Sequence, residues 1–286
     1  MSSRLNRKDL TKQQEGLLKL LDSRELTLKE LKILLNTPKR THISQRVYDH
    51  VKKGSRVKFG VMSDTHIGHK DFDEGLMKSA ADTYRKEGII NVYHAGDILE
   101  GMSGREGHIY ELENIGFNEQ INHAEELLKR HFDGLNLFGI IGNHDLWYKK
   151  KNNGGVDVGE ELDRRIPNFH YLGEEEADIN FGDGITMKLF HPNDGTAYAE
   201  SYKIQKMVES LEGGKKPNIL VEGHYHKSLY SFIRNVHCIE AGTICGQTRW
   251  MRGKKIPAKK GFWIVEFEKG KKGIKEFTPR FFPSYQ

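Results

Sequence analysis

Apolar residues recur along the chain in short runs, and five of these runs stop at polar side chains able to hold a metal. Val57, Phe59, Val61 and Met62 make the first, which reads as a buried strand ending in Ser63-Asp64-Thr65-His66. Ile89 to Ala95 runs into Gly96-Asp97-Ile98-Leu99-Glu100-Gly101, and Leu137 to Ile141 into Gly142-Asn143-His144-Asp145. Ile185 to Phe190 ends at His191, and Ile219 to Glu222 runs into Gly223-His224-Tyr225-His226. Helical spacing separates them: Leu76, Met77, Ala80, Ala81 and Tyr84, then Phe117, Ile121, Ala124, Leu127 and Leu128, then Ala197 to Leu211 with Ser201, Ile204, Val208 and Leu211 inward. Asp183-Gly184 marks a hairpin after Ala177–Phe181. Leu229–Ile233 and Val236–Ile239 turn at Arg234-Asn235, and Phe262–Phe267 opens a closing hairpin. The stretch 101–116, with Gly101, Gly104 and Gly107, is longer than a simple connection and is expected to overhang the strand ends.

Before the first strand the pattern is purely helical. Residues 12–22 read as one helix. Thr27 and Glu30 have capping-box spacing for a second, whose apolar face is Leu28, Leu31, Leu34 and Leu35 and which Asn36-Thr37-Pro38 stops. A third is expected from about Thr41 to Lys53, with Ile43, Val47 and Val51 on one face. Three short helices with a tight break before the last resemble a helix-turn-helix unit, and Lys39, Arg40, Arg46, Lys52 and Lys53 make it basic. The competing reading is a helical cap that packs on the core or joins two copies as a homodimer. The expected division is therefore a helical region over 1–53 and a larger domain over 54–286.

Asp64 and His66 stand two residues apart at a strand tip, where a carboxylate oxygen and an imidazole nitrogen can converge on a divalent ion such as Mn²⁺, Fe²⁺ or Zn²⁺. The ordered set D-x-H, G-D, G-N-H-D, H and G-H-x-H over residues 57–226 resembles the calcineurin-like metallophosphoesterase superfamily. That resemblance implies an α/β fold of two mixed sheets packed as a sandwich with helices outside, the ligand loops gathered at one edge. It implies a two-metal site: Asp64, His66 and His226 on one ion, Asn143, His191 and His224 on the other, Asp97 bridging. Mn²⁺ is the expected metal, with Fe²⁺, Zn²⁺ or Ni²⁺ as substitutes. Such ions sit roughly 3.5–4 Å apart and lower the pKa of a shared water towards ~7. His144 is implied as the group that protonates the leaving group or stabilises the phosphoryl oxygens, and Glu100 as the acidic residue that orients it. His69 lies where it could reach a substrate phosphate, or where it is only a polar loop residue. No Ser, Cys or Thr stands in a nucleophile-elbow or triad setting.

Composition narrows the class. With 36% hydrophobic and 30% charged residues the chain reads as soluble and globular, and no apolar run approaches the roughly 20 residues of a membrane helix. The N-terminus has no apolar segment of the signal-peptide kind. Cys238 and Cys245 match no zinc or redox spacing, which suits a reducing cytoplasm. A net charge of +5 hides an asymmetry: residues 1–56 carry 14 Lys/Arg against 6 Asp/Glu, residues 246–286 carry 11 against 3, and the middle is acidic. Basic flanks around a phosphoesterase core point to a polyanion. Trp147-Tyr148-Lys149-Lys150-Lys151 and the segment Arg249–Lys260 suit base stacking and phosphate contact.

The opening motif Ser63-Asp64-Thr65-His66-Ile67-Gly68-His69 looks most like that of the double-strand-break repair nucleases. The leading expectation is thus a phosphodiesterase acting on nucleic acid. Hydrolysis of a small nucleotide-like mono- or diester is the enzymatic alternative. A replication or repair accessory protein that keeps the fold without catalysis is the alternative of another class.

Overall fold

The structure is a computed structural model and describes residues 47–50, 55–149, 155–214 and 216–285, all within the second of two compact units, Gln45–Gln286. The helices expected over 12–22 and 27–36, most of the third over 41–53, and Lys150 and Lys151 lie outside the described residues. In chain order the described elements are β1 (Val47–Asp49), β2 (Arg56–Met62), α1 (Glu74–Lys86), β3 (Asn91–Ala95), α2 (Phe117–His131) and β4 (Asn136–Ile141). Then come α3 (Val158–Arg165), β5 (Phe169–Glu174), β6 (Glu176–Asn180), β7 (Thr186–Phe190), α4 (Tyr202–Ser210) and β8 (Ile219–Glu222). The chain closes with β9 (Ser228–Ile233), β10 (Val236–Ala241), α5 (Arg249–Gly253), β11 (Gly261–Gly270) and β12 (Gly273–Pro283).

The strands form two six-stranded mixed sheets, ordered β1-β6-β7-β8-β10-β9 and β12-β11-β2-β3-β4-β5. Val57, Phe59 and Val61 point into the space between the sheets, where Phe59, Phe181, Tyr93 and Phe267 pack ring against ring, with Phe59 and Phe181 stacked at 5.6 Å. Met62 joins the other face, covered by α1, α2 and α3 through Met77, Tyr84, Ile121, Leu128 and Leu162. Both faces of this sheet are buried, and that is why the β2 and β4 runs are apolar without strict alternation. Asp73 caps α1 by accepting the Leu76 N–H at 2.8 Å, and Arg85 and Lys86 occupy its last turn.

Three parts differ from the sequence expectation. Val47–Asp49, expected inside the third helix, is a strand pairing parallel with Asp178–Asn180. Its Val and Tyr favour a pleated edge over a helix, and pairing covers the otherwise open β6. The helix expected from Ala197 begins at Tyr202. The Ala197 and Ala199 carbonyls instead accept the buried Lys227 Nζ, at 2.8 and 3.3 Å. Strand β5 and helices α3 and α5 carried no sequence expectation.

What matters for function is direction. β2, β3 and β4 are mutually parallel, and so are β7 and β8, so the C-terminal ends of all five ligand-bearing strands can meet at one edge of the sandwich.

Candidate metal centre

At that edge the chain leaves each strand in a sharp turn. Asp64, His66, Asp97, His224 and His226 all have φ between 49° and 77°, a left-handed conformation that side chains with a Cβ rarely adopt. Strain of this kind, of order 1–3 kcal/mol per residue, persists where the surrounding structure over-determines it. Here parallel pairing and the turn glycines do so. At Gly142 the approach is close: a Cβ there would collide with Asp97 Oδ1 and lie 2.6 Å from His191 Nε2.

The turns bring all seven expected ligand residues together. His66 Nε2 lies 3.0 Å from His226 Nε2, and His226 Nε2 3.3 Å from Asp64 Oδ1. His191 Nε2 lies 3.1 Å from Asn143 Oδ1 and 3.2 Å from Asp97 Oδ2, while the same Asp97 oxygen is 3.9 Å from His66 Nε2. Asp64, His66 and His226 form one group with ligand-type atoms within 4.8 Å of each other; Asp97, His191 and His224 form another. Asp97 stands between them.

The surrounding hydrogen bonds show that these donors fit a metal. His191 Nδ1 donates to the Ala95 carbonyl at 2.7 Å, His66 Nδ1 to Glu100 Oε2 at 2.7 Å, and His224 Nε2 to the Asp194 carbonyl at 2.7 Å. Each outward N–H is thereby fixed, which leaves the other ring nitrogen as a lone-pair donor facing inward. Asp64 accepts the His224 N–H and Asp97 the His144 N–H, so both carboxylates are aimed as well. Two imidazole nitrogens 3.0 Å apart share no proton when each is a lone-pair donor; a cation between such atoms is the chemistry they suit.

In the metal-free protein the electrostatics differ from ring to ring. Burial works against charge on His191, yet the neighbouring Asp97 carboxylate outweighs it and raises the ring to about 9. Burial, reinforced by His191, lowers His224 to about 4. Burial also opposes charge on His144, but Glu100 and Asp97 carry its pKa above the ordinary value.

His144 sits beside the metal candidates with its ring 4.5 Å from that of His66. Its Nδ1 donates to the backbone carbonyl of Glu100 at 2.9 Å, and the Glu100 carboxylate is 3.4 Å away. The carboxylate's shorter bonds go to His66 and to His108, each at 2.7 Å. Glu100 therefore orients His144 mainly through its main chain. His108 was not singled out from sequence; it sits in a glycine-bearing loop with no strand before it. Asp145 also gains a part: its carboxylate accepts the N–H groups of Ile98, Leu99 and Gly142, clasping two ligand loops together.

The site opens into a cleft of about 360 Å³ whose walls include Arg105, Trp147, Tyr225, Trp250 and Met251. His69 also lines it; its Nδ1 accepts the Asp71 N–H at 2.9 Å. Beside the cleft, Arg249, Arg252, Lys254, Lys255 and Lys259 are exposed. Lys260 differs from the others: its Nζ pairs with Asp73 Oδ2 at 2.5 Å, beside the start of α1.

Residues 57–269 match the family model described as the calcineurin-like phosphoesterase superfamily domain. The chain belongs to that superfamily. Membership makes it a metal-dependent hydrolase of phosphoesters, and the superfamily's divalent ions have candidate ligands in the His/Asp groups above. No curated protein matches the sequence. Among solved structures, the chain is similar to an archaeal phosphodiesterase at 16% identity and a TM-score of 0.45, over 79% of this chain and 100% of that one. It is also similar to a zinc complex of Vps29 from Entamoeba histolytica, at 12% identity and TM-score 0.40, over 79% and 99% of the two chains. A candidate 5'-nucleotidase from Staphylococcus aureus is 14% identical with a TM-score of 0.45, over 80% of this chain and 54% of its own. Among the described residues no helix is long and apolar enough to cross a membrane.

Proposed function

We propose that the chain is a binuclear phosphodiesterase that cleaves nucleic acid, with Asp64, His66 and His226 on one ion, Asn143, His191 and His224 on the other, and Asp97 shared. The observation that carries the reading is the position of Asp97 Oδ2, 3.2 Å from His191 Nε2 and 3.9 Å from His66 Nε2, at the floor of a cleft walled by Trp147, Trp250 and Arg105. Bound divalent ions, Mn²⁺ first among them, would supply Lewis-acid stabilisation of phosphoryl charge and a more acidic water.

The chain's own residues do the rest. His144, with Nδ1 held by the Glu100 carbonyl, presents Nε2 as the proton donor to the departing oxygen. Against the opposing effect of burial, the Glu100 and Asp97 carboxylates raise its pKa in the metal-free protein, which favours the protonated ring. Arg105, held by Glu111 at 2.6 Å, places a permanent cation on the cleft wall for a phosphate. Trp250, half exposed, offers a face to a base, and the lysines and arginines of 249–259 continue the path for a polyanion. The nuclease-like opening motif 63–69 supports the same substrate class. The cleft volume favours one unpaired nucleotide at a time, which also supports a second reading, a small nucleotide-like ester.

Two measurements test the proposal. Elemental analysis of reconstituted protein should give two ions per chain, and Asp97→Asn should weaken both sites; one ion or none in the parent protein overturns the binuclear assignment. A metal panel against labelled single- and double-stranded DNA, RNA and bis-p-nitrophenyl phosphate should show cleavage of a nucleic acid. Turnover confined to small esters would give the second reading the site.

A further inference from the structure

The sequence gives Glu100 one more rotatable bond than an aspartate would have, and the outer torsion of a glutamate is broad and soft. A glutamate placed among histidines is thus a poor positioning group unless both carboxylate oxygens are held. In this fold both are. Oε2 accepts from His66 Nδ1 at 2.7 Å, and Oε1 accepts from His108 Nε2 at 2.7 Å. The second bond is itself fixed. The Ser103 N–H points at His108 Nδ1 at 3.3 Å, which leaves Nε2 as the ring's N–H. His108 is 3% exposed and opens the 3-10 turn His108–Glu111, in the middle of the long 101–116 connection. It reaches His144 by another route too. The edge of its ring meets Trp147 at 5.7 Å and 88°, and Trp147 packs on His144 at 4.0 Å.

We infer that His108 is a positioning residue for the phosphoester cleavage: it tethers the Glu100 carboxylate and buttresses Trp147, and so fixes His144 from two sides. This gives the 101–116 connection a part in the chemistry beyond overhanging the site. With Oε1 tied, the carboxylate plane can turn no further, and Oε2 stays between His66 and His144, at 2.7 and 3.4 Å. Without His108, Oε1 is a buried oxygen with no donor, and the carboxylate turns to recover one. The His66 bond to Oε2 remains as the pivot, so the metal ligands keep their places. His144 keeps its bond to the Glu100 carbonyl but loses a fixed carboxylate beside it and the ring that backs Trp147, and its orientation loosens. The inference rests on the reading of His144 as the leaving-group acid.

The test is steady-state kinetics of metal-loaded protein on methyl aryl phosphodiesters running from p-nitrophenyl to phenyl leaving groups. His108→Ala should lower kcat roughly 10-fold on the phenyl ester and little on the p-nitrophenyl ester, with KM and bound metal unchanged; loss of an outer partner of a site residue costs about that much. His108→Gln, which can offer an N–H at similar reach, should recover most of the loss. An equal loss on both esters, a loss of metal, or a Gln variant no better than Ala overturns the inference. His144→Ala separates the two claims. If it shows no leaving-group dependence, the acid reading falls and takes this inference with it. If it does and His108→Ala does not, only the inference falls.

Discussion

His191 shows how one side chain is made ready for a cation. Its outward nitrogen is committed to the Ala95 carbonyl, and its inward nitrogen faces Asp97 and Asn143. In the metal-free protein that pairing favours the imidazolium and raises its pKa from 6.5 to about 9. A group raised on folding contributes stability in full below its unfolded pKa and loses it as pH rises through the folded value. Chelated protein should therefore lose stability between pH 6.5 and about 9. Metal-loaded protein should not, because a ligating imidazole is already neutral. Thermal melts across that range, with and without chelator, check this; parallel curves would remove His191 from the metal site. The residues at this site were legible in sequence because ligand chemistry restricts residue type: Asp, Asn and His at strand ends stand out from an apolar background. His108 was not legible. Its part depends on Glu100 lying 2.7 Å away in space, and nothing in the loop's own pattern signals that.

At the scale of elements, parallel strands and left-handed turns do the assembling. The turn after β4 must pass so close to Asp97 and His191 that only a hydrogen fits at Gly142. Gly142→Ala should displace the Asp97 carboxylate, weaken binding of both ions, and cost about 1–3 kcal/mol as an overpacked buried position. Metal stoichiometry and denaturant melts measure both effects, and a variant that keeps two ions with wild-type stability would contradict the geometry. Strands β2, β3, β4, β7 and β8 were readable because apolar residues dominate each and a ligand-type side chain follows each. β1 was not, since Val47 and Tyr48 sit within an apolar spacing that also suits a helix; pairing with β6 decides it. The early part of the expected 197–211 helix failed for a similar reason. Its carbonyls have a better use on Lys227, whose buried ammonium needs acceptors.

For the whole molecule, the proposed function raises the question of how a polyanion would reach an acidic edge. Residues 246–286 carry 11 basic residues against 3 acidic ones, and Arg249, Arg252, Lys254, Lys255 and Lys259 are exposed beside the cleft. Replacing Lys254, Lys255 and Lys259 by Ala should weaken nucleic-acid binding and flatten its salt dependence, by roughly 0.7 to 0.9 in log–log slope per lost phosphate contact. Hydrolysis of bis-p-nitrophenyl phosphate should be unchanged. Affinities at several salt concentrations decide it, and an unaltered slope would exclude this surface. Lys260 belongs outside the set, since it pairs with Asp73 and its loss would disturb α1 instead. That distinction marks the limit of sequence reading here. Residue order determined the reaction class and the seven candidate ligands through the superfamily resemblance that its motifs carry, and composition determined the basic flanks, because motif residues and net charge are properties of the residues themselves. Only the tertiary structure decided which lysine is committed to an ion pair, which oxygen of Glu100 each histidine holds, and where the chain turns from helix to strand. Each of these depends on partners distant in sequence, and local pattern contains no information about them.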